Sequence, residues 1–181
     1  MLHLNTRAGA IAAALLLASL ASPVTAAAQE PADLAIAAIR DQWKGAITNI
    51  TAAANELTEA EYAFRPVAGV RTFGELVGHV AGTQNLICAA VLGDPAPAED
   101  AIEKAAKTKV ALIAALTAST TYCARAYAIA GAASTAMVDM FGEKSTKVGA
   151  LALNAVHDGE HYGNIVTYMR IQGKVPPSSK R

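Results

Sequence analysis

The stretch TFGELVGHVAGTQNLICAAVLGDP, Thr72 to Pro95, decides how the chain is to be read. Thr72 can accept from the backbone N–H of Glu75 while the Glu75 carboxylate reaches back, a reciprocal box that opens a helix. Phe73, Leu76, Val80, Thr83 and Ile87 then recur at helical spacing and form an inner face. Gly93 and Pro95 end the run near Leu92. His79 stands on the edge of that inner face, and Cys88 lies one turn before the end.

The same periodicity continues on both sides. Upstream, Ile36, Ile39, Trp43, Ile47, Ile50 and Leu57 make a buried stripe along helix one, with Trp43 as a core residue. Downstream, Gly93 to Lys107 is polar and contains prolines, with room for one helical turn around AEDAIEKA. Helix three is expected from about Thr108 to Ala130, with Val110, Ile113, Leu116, Thr120, Cys123 and Tyr127 in register. GAASTAMVDMFGEKST reads as a loop. Helix four starts after Ser145 or Thr146 and stops at Gly173, with Pro176 and Pro177 beyond. Four long amphipathic helices predict an all-α four-helix bundle.

The segment between helices two and three is long enough to cross the height of the bundle, and a crossing makes these helices parallel. Cys88 then sits about 24 Å above the start of helix two and Cys123 about 22 Å above the start of helix three, at about 1.5 Å per residue. Equal heights permit a Cys88–Cys123 disulfide. The alternative is a pair of buried free thiols, which the expected compartment disfavours.

That compartment is read from the N-terminus. Arg7 followed by AGAIAAALLLASLA and then SPVTAAAQE has the n-region, short apolar h-region and A-x-A site of a secretory signal. Residues 1–28 are expected to leave as a signal peptide, and 29–181 to form one periplasmic or secreted domain with no membrane span. Fifteen Lys and Arg balance fifteen Asp and Glu over 181 residues, and no basic run occurs, which argues against a nucleic-acid partner.

After cleavage three histidines remain: His79, His157 and His161. His157 and His161 are one turn apart and project from one helix face. Asn154, Asn164 and Tyr168 share that stripe, bordered by Leu151 and Ile165, so a polar seam runs along a face that should point inward. Buried imidazoles need partners, and a cation satisfies several together. HDGEH also spells the inverted zinc-peptidase pattern H-x-x-E-H. That chemistry needs a later carboxylate ligand, and no Asp or Glu follows His161. His79 is the economical third ligand. Glu75, Asn154 and Asn164 are the expected supports around it. Glu160 is the candidate general base, with a surface charge as its plain alternative.

FRPVAGVRTFGELVGHVAGTQ and HDGEHYGNIVTYMRIQGKVPP resemble the two signature segments of the DinB-like (DinB/YfiT) superfamily. The resemblance covers nearly the whole mature chain. It implies an up-down-down-up four-helix bundle with helices two and three parallel, and a divalent metal held by His79, His157 and His161. Where the family often continues the last histidine as H-R-G-Q, this chain has HYGN, so Tyr162 and Asn164 depart from the pattern.

Three imidazoles leave a divalent cation an open coordination position, unlike a closed structural site. Zinc is the expected metal, with nickel, iron or manganese also compatible. The resemblance implies a metal-dependent hydrolase or a thiol-dependent transferase acting on a small molecule. The alternative is a non-catalytic periplasmic bundle that binds metal or another ligand. Helix one is alanine-rich enough to leave room for a homodimer.

Overall fold

Helix α2 (Phe73–Leu92) forms as its first residues dictate. Thr72 Oγ1 accepts from the Glu75 amide at 3.1 Å, and the Glu75 carboxylate accepts from the Thr72 amide at 2.7 Å. At the far end Gly93 adopts φ 80°, a left-handed conformation that glycine takes without steric cost, and both Gly93 and Asp94 donate to the Ala89 carbonyl. The computed structural model describes residues 31–180. The expected signal peptide, residues 1–28, and its cleavage point lie outside the described residues.

The other long helices are α1 (Pro31–Glu56), α4 (Lys109–Ala126) and α5 (Lys147–Ile171), with a short α3 (Ala101–Ala105) in the crossover. The chain is therefore mostly helical, with α2 packed on α4 and α5, and α1 packed on α5. Residue numbers rise together along α2 and α4. Gly74 and Gly78 lie against Leu112, Gln84 bonds Ser119, and Cys88 is joined to Cys123 with Cα atoms 5.3 Å apart. The expected disulfide is present. The α1 stripe is also in place, with Ile36, Trp43, Ile47, Ile50 and Leu57 buried. Trp43 stacks on Tyr127 at 4.4 Å between ring centroids.

Three expectations are corrected. The segment read as a loop contains an antiparallel hairpin, β1 (Met137–Met140) with β2 (Glu143–Thr146), in register Met137 to Thr146. Its two-residue turn is Phe141–Gly142, with φ of 52° and 85°. Positive φ at both central residues is what such a turn needs, but phenylalanine is an unusual residue to supply it. The usual Asn-Gly or Asp-Gly signal is missing for that reason. Helix α4 ends at Ala126 rather than Ala130, because the Ala128 and Ile129 amides turn to the carbonyls three residues back. Val110 is 77% exposed; Leu112, Leu116, Ser119 and Cys123 carry the inner face. Leu116, Cys123 and Tyr127 of the expected face are buried, and at its start Leu112 replaces Val110 by packing against Gly74 and Gly78.

Candidate metal centre

Helix α2 delivers His79 and helix α5 delivers His157 and His161 to one place. The Nε2 of His157 lies 3.1 Å from Nε2 of His79 and 3.0 Å from Nε2 of His161. His79 and His161 are buried, and His157 is half-buried. Burial holds the His79 imidazole down to about 3, helped by the Arg71, His161 and His157 charges. Burial likewise holds His161 down to about 4, helped by His157 and Arg71. Both rings are therefore neutral at pH 7 and keep a lone pair to donate.

Hydrogen bonding alone serves this cluster poorly. A neutral imidazole carries one N–H, and His157 Nε2 faces two other ring nitrogens. That nitrogen has either one N–H or one lone pair in the ring plane, and neither can point at both neighbours in good geometry. The Nδ1 atoms of His79 and His157 are buried without a hydrogen-bond partner among the described residues. A divalent cation, which binds imidazole nitrogen at about 2.0–2.1 Å, would accept a lone pair from each of the three rings. The donor set fits such an ion.

The surroundings differ in part from expectation. Asn164 does approach, its Nδ2 standing 3.5 Å from His161 Nδ1. Glu75 does not support His79: its carboxylate is held by Thr72 and by Arg65 at 3.3 Å. Its place three residues into the helix draws it to the cap. Asn154 does not support an imidazole either; its Nδ2 donates to Tyr127 Oη at 3.1 Å. Glu160 is exposed, and among the described residues no hydrogen bond or ion pair ties it to the three imidazoles.

Other carboxylates lie near the ring nitrogens. Glu103 Oε2 is 3.7 Å and Glu99 Oε1 is 3.8 Å from His79 Nδ1, while Asp158 Oδ1 is 3.6 Å from His157 Nδ1. Asp158 is fully buried, and burial pushes its carboxyl up to about 6 against the opposing pull of His157. Sequence reading missed all three. The available signals were the aspartate directly after His157 and the four-residue spacing of Glu99 and Glu103 in the crossover.

A cavity of about 500 Å³ opens beside His161, with Asn164, Arg71, Tyr168, Leu76 and Val70 among its walls. Arg71 is fixed there from both ends. Its Nε donates to both Glu103 oxygens at 3.0 and 3.1 Å, and its carbonyl accepts from Tyr168 Oη at 2.8 Å. The site thus combines a buried nitrogen donor set with adjacent space for a small molecule.

Comparison with known proteins bears on the fold and the family. A DinB-like protein from Bacillus cereus shares 17% identity and superposes with a TM-score of 0.66, covering 77% of this chain and 93% of its own. A DinB-like protein from Bacillus subtilis shares 19% identity with a TM-score of 0.51, covering 80% of this chain and 99% of its own. At these identities the likeness concerns the fold alone. No curated protein matches the chain. The DinB superfamily profile matches residues 42–165, which include all three histidines and more than half of the sequence, and on that match the chain belongs to the DinB superfamily.

Proposed function

We propose that the chain is an exported, divalent-metal-binding member of the DinB superfamily. His79, His157 and His161 are its ligands, and a small substrate enters from the cavity beside His161. The approach of the His79 and His161 Nε2 atoms to that of His157, with ligand atoms of all three within 4.8 Å of one another, carries this reading. An up-down-down-up bundle belongs to the same proposal, since the matched heights along α2 and α4 fit two helices running the same way. Zinc is the first metal to test, with nickel, iron and manganese as alternatives.

An ion held by three imidazoles supplies Lewis acidity towards a carbonyl, a water or a thiol at an open position. The chain's own part is to bind and orient. Arg71, pinned by Glu103 and Tyr168, presents its remaining N–H donors near the cavity. Leu76 and Val70 give an apolar wall, and Asn164 gives a polar one. These features support a metal-dependent hydrolase or a thiol-dependent transferase. Export favours the hydrolase, because small thiols are chiefly intracellular. Glu160 remains the proposed base only in a substrate complex that brings a proton near it.

The exposed position of Glu160 favours a second reading, a non-catalytic periplasmic bundle that binds metal or another ligand. The two part on one experiment. Metal-loaded protein is assayed against panels of small esters, amides and thiol acceptors, with His161→Ala as the blank. Turnover that needs the metal supports the enzyme. Full metal binding with no turnover, and a loss of thermal stability on chelation, supports the bundle. No described helix is long and apolar enough to cross a membrane. The homodimer is a proposal for size-exclusion chromatography.

A further inference from the structure

We infer that Glu103 and Asp158 are positioning residues, each holding the outer nitrogen of one ligand imidazole. This rests on the three-histidine reading above and extends it from the ligands to what orients them. When Nε2 donates its lone pair to an ion, the ring proton belongs on Nδ1, and that N–H then needs an acceptor. Both relevant Nδ1 atoms are buried and unpartnered among the described residues, and each faces a carboxylate.

For His79 the acceptor comes from the crossover. Glu103 Oε2 stands 3.7 Å from Nδ1, less than about 1 Å beyond an ordinary hydrogen bond. The segment reaches that place because α2 is bare where it passes. A Cβ at Gly78 would lie 3.0 Å from the Glu103 Cα, and one at Gly82 would run into the Glu99 carbonyl. Arg71 anchors the same carboxylate through Nε, and Thr83 Oγ1 donates to Glu99 at 3.1 Å. The crossover is thus seated on glycines and tied on both sides, with Glu103 aimed at the ligand.

For His157 the acceptor is its neighbour. Consecutive helix residues do not ordinarily face one another, yet the Asp158 carboxylate stands 3.6 Å from Nδ1. Asp158 is fully buried, and neither oxygen has a hydrogen-bond partner among the described residues. A buried carboxylate with no donor is costly by itself and useful beside a dication. At His161 no carboxylate fills the corresponding place among the described residues; the neighbouring group is the Asn164 amide, whose Nδ2 stands 3.5 Å from Nδ1.

Zinc affinity, read by competition with a chromophoric chelator, tests the assignment. Glu103→Gln and Asp158→Asn should each weaken binding by about 10–100-fold, while Asp139→Asn, at an exposed aspartate of the hairpin, stays within about twofold. The metal-free Asp158→Asn protein should melt no lower than the parent, since it loses an unpartnered buried charge; a merely structural aspartate predicts the reverse. Nitrogen-detected imidazole spectra of the zinc form should show protonated Nδ1 on His79 and His157, with the His79 signal moved in Glu103→Gln. Both variants binding zinc as the parent does, with unmoved Nδ1 signals, would overturn the inference. Undiminished binding by His79→Ala would instead overturn the three-histidine reading beneath it.

Discussion

Two buried polar regions lie on helix α2, and they differ in how completely they are satisfied. Around Gln84 every step is paired: Trp43 Nε1 donates to Gln84 Oε1 at 2.9 Å, Gln84 Nε2 to Ser119 Oγ at 3.1 Å, and Ser119 Oγ to the Leu116 carbonyl at 3.0 Å. The Cys88–Cys123 bridge closes the same stretch. One turn earlier, around His79, two Nδ1 atoms and both Asp158 oxygens have no hydrogen-bond partner among the described residues. The first region completes itself with protein atoms and serves the fold. The second holds ring nitrogens that could take a metal ion, and buried polar groups without partners in a native interior call for an explanation.

The largest expected effect falls on the second region. His79→Ala should abolish metal binding, as measured by metal content after reloading and dialysis, while the fold survives by circular dichroism. Retained metal would mean that the two α5 histidines suffice. In the first region, replacing Cys88 and Cys123 together by alanine should cost about 2–4 kcal/mol in chemical denaturation. A smaller loss would move the weight of this region to its hydrogen bonds. Gln84→Ala comes next, at about 1–3 kcal/mol, because it leaves the Trp43 N–H and the Ser119 hydroxyl to find other partners.

Acid separates the regions further. His79 and His161 sit near 3 and 4, below the ordinary 6.5, so below about pH 6.5 the unfolded chain takes protons that the folded one refuses. Their contribution is complete above 6.5 and is lost as the pH falls. Asp158 acts oppositely: its value near 6 exceeds the ordinary 3.8, so protonation through 6 relieves the folded state. Two depressed imidazoles outweigh one raised carboxyl. The melting midpoint of the metal-free protein should therefore fall from pH 6.5 towards 4, and a flat or rising midpoint would refute the balance. The smallest effect belongs to a residue outside both regions. Val110→Lys, at a position 77% exposed, should change stability by less than about 0.5 kcal/mol.

Much of this was legible in the sequence because the governing rules are local. The Thr72–Glu75 box, the Gly93 stop, the α1 stripe and the one-turn spacing of His157 and His161 all depend on residues a few positions apart. The Cys88–Cys123 bridge was legible by a longer route, through the length of the crossover. What escaped depended on packing between distant segments. Val110 and Leu112 satisfy the same helical period, and only the glycines of α2 decide between them. Glu75 had two plausible partners, and the nearer backbone amide prevailed. Glu103 reaches His79 because Gly78 and Gly82 let the crossover approach, a contact without a periodic signature. The hairpin was hidden by a phenylalanine in a turn position that usually holds asparagine or glycine.

The contrast between the two regions is tested most directly by an anomalous-difference map from zinc-loaded crystals. The account predicts one strong peak about 2.0–2.1 Å from the Nε2 atoms of His79, His157 and His161 together. A map with no peak there, or with zinc bound by other residues while the three rings stay apart from it, would contradict it.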